Sequence, residues 1–206
     1  MKVLLINGSP HSAGSTFRAL CEIEKELKKE DVATEVFQLG TGAVSGCRGC
    51  GYCRENKKCV IDDCVNSFAK TAAQADGFIF GSPVHYAAAA GGITAFMDRL
   101  FYSASSVLEY KVAAAIVSCR RGGASAAFDQ LNKYFAINNM PIVSSQYWNM
   151  VHGNTPDEVE KDFEGLQVMR VLGKNMAWLL KSIEAGKKAG ISYPQKEERV
   201  RTNFIR

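Results

Sequence analysis

Two stretches hold residues whose types and spacing can do chemistry. The first is Asn7-Gly8-Ser9-Pro10-His11-Ser12-Ala13-Gly14-Ser15-Thr16. It lies between the apolar run Val3-Leu4-Leu5-Ile6 and an amphipathic stretch, so it reads as the turn from a strand into a helix. A helix N-terminus offers unpaired N–H groups and a partial positive charge, which suits a phosphate. Gly8 and Gly14 let the backbone turn and approach closely. Ser9, Ser15 and Thr16 supply hydroxyls, and His11 a further donor. The stretch has neither a Gly-Lys-Ser/Thr ending nor a Gly-x-Gly-x-x-Gly pattern, so neither nucleoside-triphosphate hydrolysis nor a dinucleotide fingerprint is supported. An ordinary Ser/Gly-rich turn has the same composition. Position favours a ligand, because the first strand lies at the switch point of an open α/β sheet.

The second stretch is cysteine-rich. Four of the seven cysteines, Cys47, Cys50, Cys53 and Cys59, follow the spacing C-x2-C-x2-C-x5-C. Thiolates at this spacing can surround one centre, the general requirement of a cubane iron–sulfur site. Three occupants stay open: a [4Fe-4S] cluster, a structural zinc, or no metal and free redox-active thiols. Zinc sites more often pair two separated knuckles. A disulfide framework is unexpected in a reducing compartment. Cys21, Cys64 and Cys119 read as packing or incidental thiols.

The opening Gly8-Ser9-Pro10 followed by Ser15-Thr16 resembles the NADPH-dependent FMN reductase family of the flavodoxin-like superfamily, and the resemblance runs over nearly the whole chain. It implies FMN as cofactor, with the phosphate in the first loop. His11 stands where the family carries an Arg. The cysteine spacing, with the continuation Val60-Ile61-Asp62-Asp63, is similar to that of iron–sulfur flavoproteins, whose cluster passes single electrons to FMN. Two more loops are then expected along the flavin ring. Pro83, Val84, His85 and Tyr86 resemble the family's Ser-Pro-Val-Tyr segment, with His85 in place of Tyr. In the other loop, Ser118, Arg120, Arg121, Gly122 and Gly123 combine positive charge with a glycine pair that permits close backbone approach. No residue is assigned a catalytic role. His11, His85 and His152 have no nucleophile motif beside them, and hydride chemistry belongs to the flavin.

The elements that must position these loops follow an alternating pattern. Compact apolar or alternating runs at 2–6, 33–39, 77–81, 112–118 and 141–144 read as strands. Helical spacing marks 15–30, 92–102, 124–138 and 156–185, the last opened by Thr155 as N-cap and Pro156. Strand–helix alternation implies right-handed crossovers and a sheet covered on both sides. The expected fold is α/β: a flavodoxin-like three-layer sandwich with a five-stranded parallel sheet of order 2-1-3-4-5. Residues 1–190 are expected to form one FMN-binding domain with a Cys-rich loop at 45–64, and 191–206 a tail. Asp98 and Arg99 read as a structural pair or dimer contact. Tyr147 and Trp148 read as pocket lining, interface or core.

Composition limits the alternatives. The 206 residues suit one domain, and the net charge of +4, without a Lys/Arg run, argues for no nucleic acid. Residues 77–97 lack charge but contain Gly81, Pro83, Gly91 and Gly92, so they read as strand, loop and helix start rather than a membrane span. With no secretory leader visible, a soluble cytoplasmic protein is expected. The expected activity is electron transfer from NAD(P)H or a reduced carrier protein to a small acceptor such as a quinone, a nitro or azo compound, or free flavin. An electron carrier or redox sensor is the alternative, and a flavin-free zinc module the third. A homodimer or homotetramer, with a redox partner protein, is implied by the resemblance.

Overall fold

The computed structural model describes residues 1–205. In chain order the elements are β1 (Lys2–Asn7), α1 (Ser15–Lys29), β2 (Ala33–Gln38), α2 (Tyr52–Asn56), α3 (Cys64–Ala72), β3 (Gly77–His85), β4 (Ala88–Ala89), α4 (Gly91–Ser103), α5 (Ser105–Leu108), β5 (Val112–Cys119), α6 (Ala124–Ile137), β6 (Met150–His152), α7 (Pro156–Val159) and α8 (Phe163–Lys188). The parallel strands run β2-β1-β3-β5-β6. Counted along these five strands, the order is the expected 2-1-3-4-5. The short β4 adds an antiparallel hairpin at the end of β3, pairing Val84 with Ala89.

Alternation along the central strands makes the two layers. Leu4, Ile6, Phe78, Phe80, Ala113, Ala115 and Val117 enter one core with Phe96, Leu100, Leu131 and Phe135. Their neighbours Val3, Leu5, Ile79, Val112, Ala114 and Ile116 enter the opposite core with Leu20, Ile23, Leu27, Leu172 and Met176. A strand apolar at every position is thus explained by burial of both faces. The first core is aromatic: Phe37 and Phe68 lie 4.8 Å apart, Phe68 and Phe96 5.2 Å, and Phe80 and Phe135 5.4 Å.

Two elements differ from expectation. The fifth strand does not run at 141–144. Ile142 makes an isolated bridge to Ala113, after which the chain leaves the sheet and rejoins it at Met150. Asn149 spans the gap: its buried Nδ2 donates to the Ala115 and Val143 carbonyls at 3.2 and 3.5 Å. A side-chain amide thus replaces ladder bonds that the excursion removes. Likewise, the pattern from Pro156 is two helices. Asp162 interrupts it by accepting from the N–H of Gly165 at 2.9 Å, a new N-cap, while its other oxygen accepts from the His152 N–H at 2.6 Å.

Helices α1 and α8 pack closely. A Cβ on Gly173 would lie 2.9 Å from Glu26 Cβ and 3.1 Å from the Ile23 carbonyl oxygen, so only glycine permits this approach. Beside it, the buried Glu22 accepts from Arg170 at 2.8 Å and from Arg18 at 2.9 Å, and Arg18 also binds Glu160. Burial pushes the Glu22 carboxyl up, but the hydrogen bonds from Arg170 and Arg18 outweigh it and hold the group below its ordinary 4.5. A carboxylate with a lowered native pKa stabilises the fold above its unfolded-state pKa, and that contribution fades as pH falls through the native value. Glu22→Gln is therefore expected to cost about 1–2 kcal/mol at pH 7. The gap to wild type narrows below about pH 4.5. Urea unfolding at pH 7 and pH 3.5 measures both; a gap of equal size at the two values would contradict the assignment.

Candidate functional site

β1 ends where Asn7 and Gly8 meet Gly81, within β3. The Gly8 N–H donates to the Gly81 carbonyl at 2.8 Å, and a Cβ on Gly8 would lie 2.7 Å from that oxygen and 2.8 Å from Ile93 Cβ. The buried Asn7 side chain then organises the loop. Its Nδ2 donates to the His11 carbonyl at 3.1 Å and to Gln38 Oε1 at 2.6 Å; its Oδ1 accepts from the Ser9 N–H at 3.2 Å. Gln38 Nε2 donates to the Ser9 carbonyl at 2.7 Å, and the His11 N–H donates to Ser9 Oγ at 3.1 Å. These bonds draw the loop into a ring around the start of α1. Gly14 caps α1 without a side-chain hydrogen bond, and the first turn has no acidic residue. Its amides are thus open to an external anion.

This loop forms one wall of a cavity of about 770 Å³, within the usual size range of ligand pockets. Of the residues expected to bind cofactor, Ser9, His11, Ser15, Thr16, Pro83, Val84, His85, Ser118 and Arg120 line it. Three elements converge there, the ends of β1, β3 and β5, as the switch-point topology requires. Thr16 and Ser118 are both buried, and their hydroxyls pair at 2.7 Å, fastening α1 to β5 at the cavity floor. Tyr86, Arg121 and Gly122 sit outside this cavity. They line an adjoining recess that shares Val84, Cys119 and Arg120 with it. Tyr86 stands fully exposed at the hairpin tip with φ 59°. Gly123 begins α6 and lies against Val84.

The sequence reading missed a fourth wall, Gly153, Asn154, Thr155 and Pro156. It follows β6, so placing the fifth strand eight residues early hid the loop that leaves it. The Ser15 hydroxyl reaches this wall, donating to the Gly153 carbonyl at 3.4 Å. Tyr147 and Trp148 line neither cavity nor core; they are exposed and pack on each other at 5.0 Å.

Cys47, Cys50, Cys53 and Cys59 line a separate cavity of about 350 Å³ with Arg48, Arg54, Arg99, Val60 and Ile61. These lining residues include three guanidinium groups and no carboxylate, which suits anionic thiolates. Among the described residues, no three Cys, His, Asp or Glu groups close on one point as a single ion requires. A cubane instead takes one thiolate at each iron, so its ligands surround a space. The four cysteines fit such a group in number and in sharing one lined space. Asp63 and Arg99 form a salt bridge at 2.7 Å; the hydrogen bond from Arg99 holds the Asp63 carboxyl below its ordinary range. All seven cysteines are free. Among the described residues, no helix is long and apolar enough to cross a membrane.

Known proteins place this architecture. Over 192 residues the chain is 32% identical to an iron-sulfur flavoprotein of Methanocaldococcus jannaschii, covering 89% of this chain and all of that one. An iron-sulfur flavoprotein of Methanosarcina thermophila is 26% identical over 188 residues, covering 89% of this chain and 97% of the other. Among solved structures, a flavone reductase superposes with TM-score 0.70 at 16% identity, over 89% of this chain and 64% of that one. A flavodoxin from the domain Archaea superposes with TM-score 0.60 at 16% identity, over 88% and 99%. These two likenesses establish the flavodoxin-like fold. The sequence pattern of the NADPH-dependent FMN reductase family matches residues 1–155, and the chain belongs to that family of flavin-dependent oxidoreductases.

Proposed function

We propose that this chain binds FMN in the cavity of β1, β3 and β5 and moves electrons from NAD(P)H, or from a reduced carrier protein, to a small acceptor. A quinone, a nitro or azo compound, or a flavin is an acceptor of the right kind. One observation supports the reading above the rest: an uncapped helix N-terminus shares its cavity with the C-terminal ends of β3 and β5. The first gives a seat for a phosphate and the others give walls for a flat ring. When bound, FMN accepts a hydride and can release electrons singly.

The residues divide by role. The α1 amides with the Ser9 and Ser15 hydroxyls would hold the phosphate, with His11 at the rim. Pro83, Val84 and His85 would run along the ring, and Arg120 would place positive charge beside the edge that becomes anionic on reduction. Arg121, Gly122 and Tyr86 border the recess next to it, where an acceptor can approach. Cys47, Cys50, Cys53 and Cys59 would hold a [4Fe-4S] cluster, which supplies single-electron transfer. The names of the archaeal relatives and the shared lining of the four thiols support this part. It also supports a second reading, an electron carrier or redox sensor, distinguished by the absence of steady NAD(P)H turnover. We place the acting form as a homodimer or homotetramer; exposed Tyr86, Trp148 and Trp178 supply apolar surface for self-association.

The protein is expected to purify yellow, and its flavin-free form to bind FMN more tightly than riboflavin, which lacks the phosphate. Asn7→Leu, and more mildly Gln38→Ala, should weaken FMN binding about 5- to 30-fold, equivalent to ~1–2 kcal/mol from losing the hydrogen bonds that shape the loop. Riboflavin binding should change little. A colourless protein that takes up no added FMN would refute the cofactor, whereas equal losses for both ligands would refute the phosphate seat. Anaerobic preparation should yield about four irons and four sulfides per chain. Cys53→Ser should lower both without removing flavin. Stoichiometric zinc in their place would overturn the cluster.

A further inference from the structure

The Cys-rich segment between β2 and α3 has little regular structure, only the five residues of α2. A side chain from α4 grips it. Arg99 on α4 is 1% exposed. Its Nη1 and Nη2 hold the two oxygens of Asp63 at 2.7 and 2.8 Å. Nη2 also donates to the Ile61 carbonyl at 2.9 Å, and Nη1 to the Ser45 carbonyl at 3.3 Å. The remaining donor, Nε, points at Cys59 Sγ from 3.2 Å. All the N–H groups of a guanidinium are therefore used, and every partner lies between residues 45 and 63. Asn66 braces the same turn, accepting from the Cys59 N–H and donating to the Cys59 carbonyl, both at 3.0 Å.

We propose that Arg99 is the positioning residue of Cys59, and that its hydrogen bond to this sulfur raises the reduction potential of the cluster the thiols hold. This rests on the cluster reading above. Among the described residues, Cys59 is the one of the four thiols with a side-chain donor. Reduction adds one electron, breaks no bond and makes the site more negative by one charge. A buried guanidinium favours the added charge, and burial leaves it little screened by solvent. Hydrogen bonds to cluster sulfurs and net local charge are recognised determinants of cluster potential. Asp63 acts in the opposite sense, since its negative charge tempers that of Arg99.

The two partners should therefore shift the potential in opposite directions. Stepwise anaerobic reduction with dithionite, followed by electron paramagnetic resonance, reads the midpoint. Arg99→Gln should lower it, and Arg99→Lys, which keeps the charge but not the fork, should lower it less. Asp63→Asn should raise it; asparagine caps a helix as well as aspartate does, so α3 keeps its start. General loosening of the loop cannot give opposed signs. Should Arg99→Gln fail to load a cluster, Asp63→Asn decides the matter alone. An unchanged or lowered midpoint in Asp63→Asn, or an unchanged one in a loaded Arg99→Gln, overturns the proposal. Wild-type protein without iron overturns the cluster reading and this proposal together, and metal analysis reveals it before any variant is made.

Discussion

Backbone meets backbone where Gly8 touches Gly81, and the candidate site is built outward from that contact. The pairing of β1 with β3 stops there with no Cβ between the strands; a methyl on Gly8 would sit inside the van der Waals distance of the Gly81 oxygen. The approach lets the chain turn immediately after β1 and start α1 over the sheet edge. The same proximity lets Thr16 on α1 reach Ser118 on β5. The site is thus assembled from the ends of neighbouring strands, and its position follows from sheet order rather than from any loop acting alone.

Three buried polar side chains sit where loops or an interrupted edge must be held. Asn7 organises the loop before α1, Asn149 repairs the interrupted edge of the sheet, and Arg99 gathers the Cys-rich segment. In each case a side chain substitutes for secondary structure, satisfying backbone groups that no ladder or helix reaches. The aromatic core beneath α4 gives Arg99 a rigid base, because Phe96 and Leu100 on the same helix are fully buried.

How much of this could be read from sequence depended on how local the cause was. Val3-Leu4-Leu5-Ile6 declares a strand buried on both faces, and the glycine–serine loop after it declares a turn into a helix; both causes lie within a few residues. The break at Asp162 was equally local but hidden inside a continuous helical pattern, since Asp162 resembles any surface acid until its oxygens are seen on Gly165 and His152. Pro141 to Ser144 has the composition of a strand but joins the sheet through an isolated bridge at Ile142. The strand at Met150–His152 is three residues long and depends on Asn149, one of whose acceptors, the Ala115 carbonyl, lies 34 residues away. The Gly153–Pro156 wall follows that short strand and is no more legible than the strand itself. Arg99 next to Asp98 looked like half of a local pair; its partner Asp63 is 36 residues away.

The pairing of α1 with α8 ties the beginning of the chain to its end. Leu20, Ile23 and Leu27 find cover in Leu172 and Met176. The stripe is thus held between the sheet residues Val3, Leu5 and Ile79 on one side and α8 on the other. Because the α1 N-terminus also lines the large cavity, the packing of α8 on α1 helps to set the shape of a cavity that α8 itself does not line. Without α8, one flank of that apolar stripe would face water.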